Sequence, residues 1–331
     1  MKMKAAVLRN IGGPLKIEEL EVPKLKKGQV LVEVLYSGLC RSNINEIDGR
    51  KGAEFIPHLT GHEASAIVME VGSGVTKVKA TDYVVCSWIN GSGLTAQPVK
   101  YKSAKGMVNA GTCSTFCEYA IVSENKVVSI SEEVNTRAAA LLGCAVPTGA
   151  GVIDHFGIKP GQKLAVFGIG GIGASALMRA NALGIHCIAF DVLEWKLQWV
   201  SENFKIEAFH FNKFRYRNFF DFAIECSGNK LAMEMTFECL NSNGTAIIAG
   251  NLKPGENISI DPFGLVRGKK LLGTWGGECF LDKDIPFYAK EHLEGRFPVE
   301  KLITGSYNFN GINNGIRDLK DGNLIRGIIK F

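Results

Sequence analysis

Gly168-Ile169-Gly170-Gly171-Ile172-Gly173 follows the apolar run 164–167 and opens a helix-compatible run, 174–183. This is a GxGxxG pattern in the strand, turn and helix context that it requires. The first glycine allows a tight turn, the second lets backbone approach a pyrophosphate, and the third lets helix pack on strand. The N-terminus of the helix then faces the phosphates. Asp191 lies 23 residues after Gly168, at the end of the next apolar run. There a carboxylate accepts hydrogen bonds from the ribose hydroxyls and repels a 2′-phosphate, whereas its bland alternative is a helix cap. Lys196 is placed to cover the adenosine edge, and Val192 and Leu193 supply no cation for a 2′-phosphate. The pattern therefore points to NAD rather than NADP.

Outward from this turn, residues 147–274 alternate strand, glycine turn and helix, the signature of a parallel sheet with crossover helices. Strands are expected at 164–167, 187–190, 222–225, 246–249 and 271–274. The polar-aromatic run 212–220 stands where a longer helical crossover is expected, which trims the domain near 205–220 and threatens to expose a sheet edge. Residues 4–131 read differently: short apolar runs such as 30–35, 66–71 and 119–122 alternate with Gly, Pro, Asn and Ser, so this half is mainly β. The end of the chain has a helical piece near 286–294 and then short apolar runs that return to the first domain.

Composition excludes several function classes. The 331 residues suit two domains, and 46% hydrophobic with 21% charged residues describes a globular chain. The net charge of +5 comes from interleaved acids and bases without a basic run, so nucleic acid is not an expected partner. The most apolar stretch, 164–190, is broken by five glycines and by Arg179, which does not suit a membrane span. The first nine residues lack an apolar core and cleavage site and read as a strand, not a signal peptide. Nine scattered cysteines do not resemble a disulfide frame, and reduced thiols in the cytoplasm are expected.

Cys40 in Gly38-Leu39-Cys40-Arg41-Ser42, His62 in Gly61-His62-Glu63, and Cys144 in Leu142-Gly143-Cys144 are candidate zinc ligands that no local spacing rule links. Singly, each is more often a small core thiol or a satisfied loop imidazole. Together with Glu70-Val71-Gly72-Ser73-Gly74-Val75, Pro147-Thr148-Gly149 and the glycine turn, they resemble the medium-chain zinc-dependent alcohol dehydrogenase family in order and spacing over nearly the whole chain. The resemblance implies an α/β protein: a GroES-like β-rich catalytic domain over 1–146 and 277–331, plus a Rossmann doubly wound parallel sheet over 147–276.

It further implies that Cys40, His62 and Cys144 hold one catalytic Zn²⁺, with an open position where the metal polarises an alcohol or carbonyl oxygen. Glu63 would tune the metal, Ser42 would pass on the substrate proton, and Arg41 and Arg326 would hold the pyrophosphate. Thr148 would lie near the nicotinamide, Gly168, Gly170, Gly171, Ile172 and Gly173 under the phosphates, and Trp88 and Phe116 along the substrate pocket. Partners would be a small-molecule alcohol or carbonyl and further copies of the chain, as a homodimer or homotetramer. Two departures stand out. Residues 90–111 lack the four cysteines that hold a structural zinc in many members, and Asn43 and Asn45 replace the usual aspartate and relay histidine. The proton would then leave through the ribose, Glu46 or water. Alternatives are a zinc-free quinone or enoyl reductase of the same superfamily, or a non-catalytic binding protein that keeps the fold.

Overall fold

A computed structural model describes the whole chain, Met1–Phe331, and divides it into two compact units, Met1–Cys144 with Phe280–Phe331, and Ala145–Cys279. In the first unit, Lys2–Leu8, Lys16–Glu21, Lys100–Ser103, Gly106–Ala110 and His58–Leu59 close a small barrel. A seven-stranded sheet runs in the order Val127–Ser129, Tyr83–Ser87, Glu63–Val71, Gln29–Leu39, Arg326–Lys330 and Ile303–Asn308, with Tyr119–Ser123 also paired to Gln29–Leu39. Gln29–Leu39 is rich in Val and Leu and buried along nearly its whole length, which suits the central strand of that sheet. The C-terminal strand Arg326–Lys330 pairs with it directly, Gly327 opposite Leu39. The chain end is therefore built into this unit.

Residues 90–111 fold as a loop followed by the hairpin Lys100–Ser103 and Gly106–Ala110. The loop is tied down by a carboxylate. Glu124 accepts the backbone N–H groups of Thr76, Lys77 and Leu94 at 2.6, 2.9 and 2.7 Å, and Ser123 accepts that of Ala96 at 2.8 Å.

In Ala145–Cys279, six parallel strands lie in the order Glu207–His210, His186–Asp191, Lys163–Phe167, Phe220–Glu225, Leu240–Ile248 and Lys270–Gly273. Numbered along the chain this is 3-2-1-4-5-6, whose ligand crevice lies at the carboxyl ends of the first and fourth strands. The sequence expectation lacked the edge strand Glu207–His210, whose four residues, Glu-Ala-Phe-His, carry too little apolar alternation to announce themselves. The trimmed crossover has its own packing. After a single 3₁₀ turn at Phe211–Lys213, Phe214 sits 5.4 Å from Phe167 and 5.0 Å from Phe190, and Tyr216 sits 5.2 Å from Phe220. Aromatic rings cover the sheet face where a crossover helix would otherwise lie, each adding contact energy beyond its buried area.

Candidate active site

Sheet pairing brings the sequence-distant thiols and imidazole together. Gln29–Leu39 ends just before Cys40, Glu63–Val71 begins just after His62, and Ser37 pairs antiparallel with Ala64, so the two strand ends lie side by side. Ser87 pairs with Glu63, which brings Trp88 out at the same level. The Ser87 hydroxyl also donates to the Gly143 carbonyl at 2.6 Å and so draws in Cys144. The helix Thr136–Leu141, capped by the Asn135 side chain on the Arg137 N–H, leads into that turn.

The ligand atoms of Cys40, His62 and Cys144 all lie within 4.8 Å of one another, with the two sulfurs 3.9 Å apart. Two thiolates each about 2.3 Å from one tetrahedral zinc lie roughly 3.8 Å apart, so the cluster has the size and donor set of a zinc site. Its electrostatics agree. The Cys144 thiol donates to Cys40, which with His62 and the Arg326 guanidinium holds Cys40 well below the usual thiol range despite burial. The same bond, with burial, pushes Cys144 well above it. A dication bound there would favour the thiolate form of both sulfurs.

Asn43, fully buried, ties two of these residues together. Its Oδ1 accepts the Cys40 N–H at 2.9 Å and its Nδ2 lies 3.4 Å from His62 Nδ1. Ser42 Oγ lies 3.4 Å from His62 Nε2.

Beneath the cluster, Glu63 is wholly buried and its Oε1 accepts from Arg326, which is 3% exposed. The Ser37 hydroxyl holds the Glu63 carbonyl at 2.8 Å. A Cβ on Gly38 would meet the Glu63 carboxyl at 2.5 Å, and one on Gly143 would meet Glu63 Cβ at 2.8 Å and the Cys86 carbonyl at 2.3 Å. Gly38 makes room for this carboxylate, and Gly143 for the Cys86 carbonyl and the Glu63 backbone.

In Ala145–Cys279, the glycine turn leaves Lys163–Phe167 and enters the helix Gly171–Ala182. Gly168 has φ +91°, and a Cβ on Gly173 would lie 2.0 Å from the Gly168 carbonyl, so neither position tolerates a side chain. A Cβ on Gly170 would meet nothing of the chain within 4 Å, which leaves that backbone open to a phosphate. Asp191 ends His186–Asp191; Oδ2 accepts the Ile169 N–H at 2.6 Å and Oδ1 those of Val192 and Leu193 at 2.8 and 3.0 Å. Cap and ribose acceptor are compatible roles, because a carboxylate offers about four acceptor positions. Thr148 is buried in the helix Ala145–His155, and Lys196 is buried on Glu194–Phe204 with its ammonium 5.6 Å from the Trp195 ring centroid.

The family model of the alcohol dehydrogenase GroES-like domain matches residues 26–132, and that of zinc-binding dehydrogenases matches 171–290. S-(hydroxymethyl)glutathione dehydrogenase of Synechocystis sp. is 30% identical over 370 aligned residues that span 100% of both chains. The chain belongs to the medium-chain zinc-dependent alcohol dehydrogenase family. Among solved structures, an alcohol dehydrogenase zinc-binding domain protein of Burkholderia ambifaria superposes with TM-score 0.91 at 26% identity, covering 100% of this chain and 99% of its own. Benzyl alcohol dehydrogenase of Acinetobacter calcoaceticus, at 24% identity, TM-score 0.90 and the same coverage, shares the fold. This alcohol dehydrogenase homologue is accordingly an oxidoreductase that uses zinc and a nicotinamide dinucleotide to interconvert alcohol and carbonyl.

Two placements differ from the sequence expectation. Phe116 is not a pocket wall: it is fully buried in the β-core, while the neighbouring 111–114 segment lines a cavity of about 190 Å³ beside His62 and Trp88. Arg326 is not a solvated charge offered to a phosphate in this unit but the buried partner of Glu63, whereas Arg41 is exposed at the first position of Arg41–Ile47. Cavity residues Lys126 and Cys113 were missed, because they follow no motif and meet the site only through strand pairing.

Removing one partner of a buried ion pair strands the other charge. Arg326→Leu should therefore lower unfolding stability by about 3–5 kcal/mol in urea titration, with Glu63→Gln in the same chain recovering much of the loss. Wild-type stability in Arg326→Leu alone would refute the pairing.

Proposed function

We propose that Cys40, His62 and Cys144 hold the zinc of this dehydrogenase, on the strength of one observation: their ligand atoms all lie within 4.8 Å of one another, with the two sulfurs 3.9 Å apart. Bound there, zinc supplies a Lewis acid that polarises a substrate oxygen at an open coordination position. Ser42 Oγ, next to His62, takes the substrate hydroxyl proton, and Asn45, which does not titrate, leaves its onward path to Glu46 or water. Trp88 flanks the substrate in the cavity of the Met1–Cys144 unit. The backbone of Gly168–Gly173 receives the pyrophosphate, and Asp191 holds the adenosine ribose and excludes a 2′-phosphate, which makes NAD the cofactor. Glu63 and Arg326 set the charge beneath the ligands without touching substrate.

We also assign the chain to a homo-oligomer. The edge strand Lys270–Gly273 offers unpaired backbone groups, and Val266 and Trp275 nearby are 79% and 75% exposed. Such an edge with apolar neighbours favours pairing with its own copy. The nine free thiols fit a reducing cytoplasm, and no helix is long and apolar enough to cross a membrane.

Three measurements bear on these assignments. Cys144→Ala should lose bound zinc by elemental analysis and at least ~10-fold of its NAD-linked alcohol oxidation, since loss of even an outer-shell partner typically costs 10–100-fold; retained zinc and full activity would sink the ligand set. For Asp191→Ala, the NAD over NADP ratio of kcat/KM should fall by at least ~10-fold, and an unchanged ratio would assign discrimination elsewhere, a charge-assisted hydrogen bond being worth about 1.5–3 kcal/mol. Light scattering at micromolar concentration should give a multimer; a monomer would rule out edge pairing.

A further inference from the structure

The cavity beside the ligands carries a charge that hydride transfer does not use. Its walls include His62, Trp88 and Cys113 together with Glu46, Lys51 and His58. Those last three are linked to one another: Lys51 Nζ is 3.4 Å from Glu46 Oε1 and 3.1 Å from His58 Nε2. His58 is held down to about 4, first by burial and then by Lys51, so it is neutral near pH 7 and the group adds no net charge.

Lys126, on the same cavity, is different. It is half-buried, its ammonium donates to the Trp88 carbonyl and to Asn90 Oδ1 at 2.6 Å, and both acceptors are neutral. The nearby carboxylate of Glu124 is occupied by backbone N–H groups of Thr76, Lys77 and Leu94. Burial lowers the Lys126 pKa and only the Cys113 thiol pulls it back, as expected of a cation with no acidic partner. A lysine carries three donors, of which two are used, and half-buried charges without a counter-ion are costly unless a ligand supplies one.

We propose that Lys126 recognises an anionic group on the substrate, so that the enzyme acts on alcohols or carbonyls whose far end carries a carboxylate. A carboxylate fits better than a phosphate dianion: there is one unpaired ammonium, no arginine, and the Glu46 carboxylate stands in the same small cavity. This assignment rests on the active-site reading above and names the substrate class of that site.

The test uses the zinc-loaded full-length protein with two alcohols of matched shape, 4-(hydroxymethyl)benzoate and 4-(hydroxymethyl)benzamide, measuring NAD-linked kcat/KM and calorimetric Kd for each. Wild type should favour the carboxylate by about tenfold or more, the value of one charge-assisted hydrogen bond. Lys126→Met should bring the ratio close to one and Lys126→Arg should restore the preference; Lys126→Gln serves in place of Met if that variant does not fold. No preference in wild type, or one that survives Lys126→Met, overturns the proposal. Binding that discriminates through Lys126 without turnover of either alcohol would uphold recognition and refute the active-site reading. Equal oxidation of both alcohols would do the reverse.

Discussion

A single buried carboxylate organises the catalytic unit. Glu63 is inaccessible to water, and an isolated charge there would cost far more than the fold could supply, so a cation must accompany it. Arg326 comes from the last strand, some 260 residues later in the chain, and that strand reaches it by pairing with Gln29–Leu39. Glu63 also fixes where Gly38 and Gly143 can be, because each approaches it more closely than a side chain would permit. The cysteines that follow are thereby held on either side of His62. Charge closes the account. On the proposed ligand set, two thiolates and the Glu63 carboxylate would face the Arg326 guanidinium and a dication, which balances their charge. The proposed metal site and the C-terminal strand are thereby joined through the Glu63–Arg326 pair.

The cofactor unit reaches its strand order by another route. A right-handed crossover from the edge strand Glu207–His210 to Phe220–Glu225 must pass the two strands between them, and a helix is the usual way to cover that face. Here nine residues, 211–219, do so with aromatic rings instead. Phe167 and Phe190, stacked 5.0 Å apart on the two strands that carry the glycine turn and Asp191, form the floor on which Phe214 rests. The shortened segment is thus part of the core that holds the nucleotide-facing strands in register.

Legibility in the sequence followed the range of the interactions. The glycine turn and Asp191 could be read directly because their geometry is local: a tight turn, a helix start and one spaced acid. The existence of the parallel strands was equally plain from apolar runs, apart from Glu207–His210, whose half-polar sequence is stabilised by its neighbour rather than by its own pattern. Cys40, His62 and Cys144 became a set only through family resemblance, since strand pairing and not spacing unites them. Phe116 and Arg326 were misplaced for the same reason. An aromatic or an arginine in a β-rich chain points to core, pocket or surface only once the register is known, and here the register put Phe116 under Gly61 and Arg326 under Glu63.

Three glutamates repeat one device with different outcomes, and their environments explain why. Glu63 is neutralised by a guanidinium. Glu124 loses solvation, which by itself would raise its pKa, yet the backbone N–H groups of Leu94, Thr76 and Lys77 together outweigh that and hold it low. Glu225, at the end of Phe220–Glu225, also receives N–H groups, from Ser227 and Gly228, but lies inside the sheet, where burial prevails and its pKa is raised. The balance is between desolvation and donors: where donors converge from separate segments, as on Glu124, the charge survives, and in the sheet interior around Glu225 burial prevails. Glu124 can therefore hold the 90–99 loop by converging hydrogen bonds. Glu225 instead serves as an acceptor that shapes the turn after its strand, close to the glycine turn of the cofactor site.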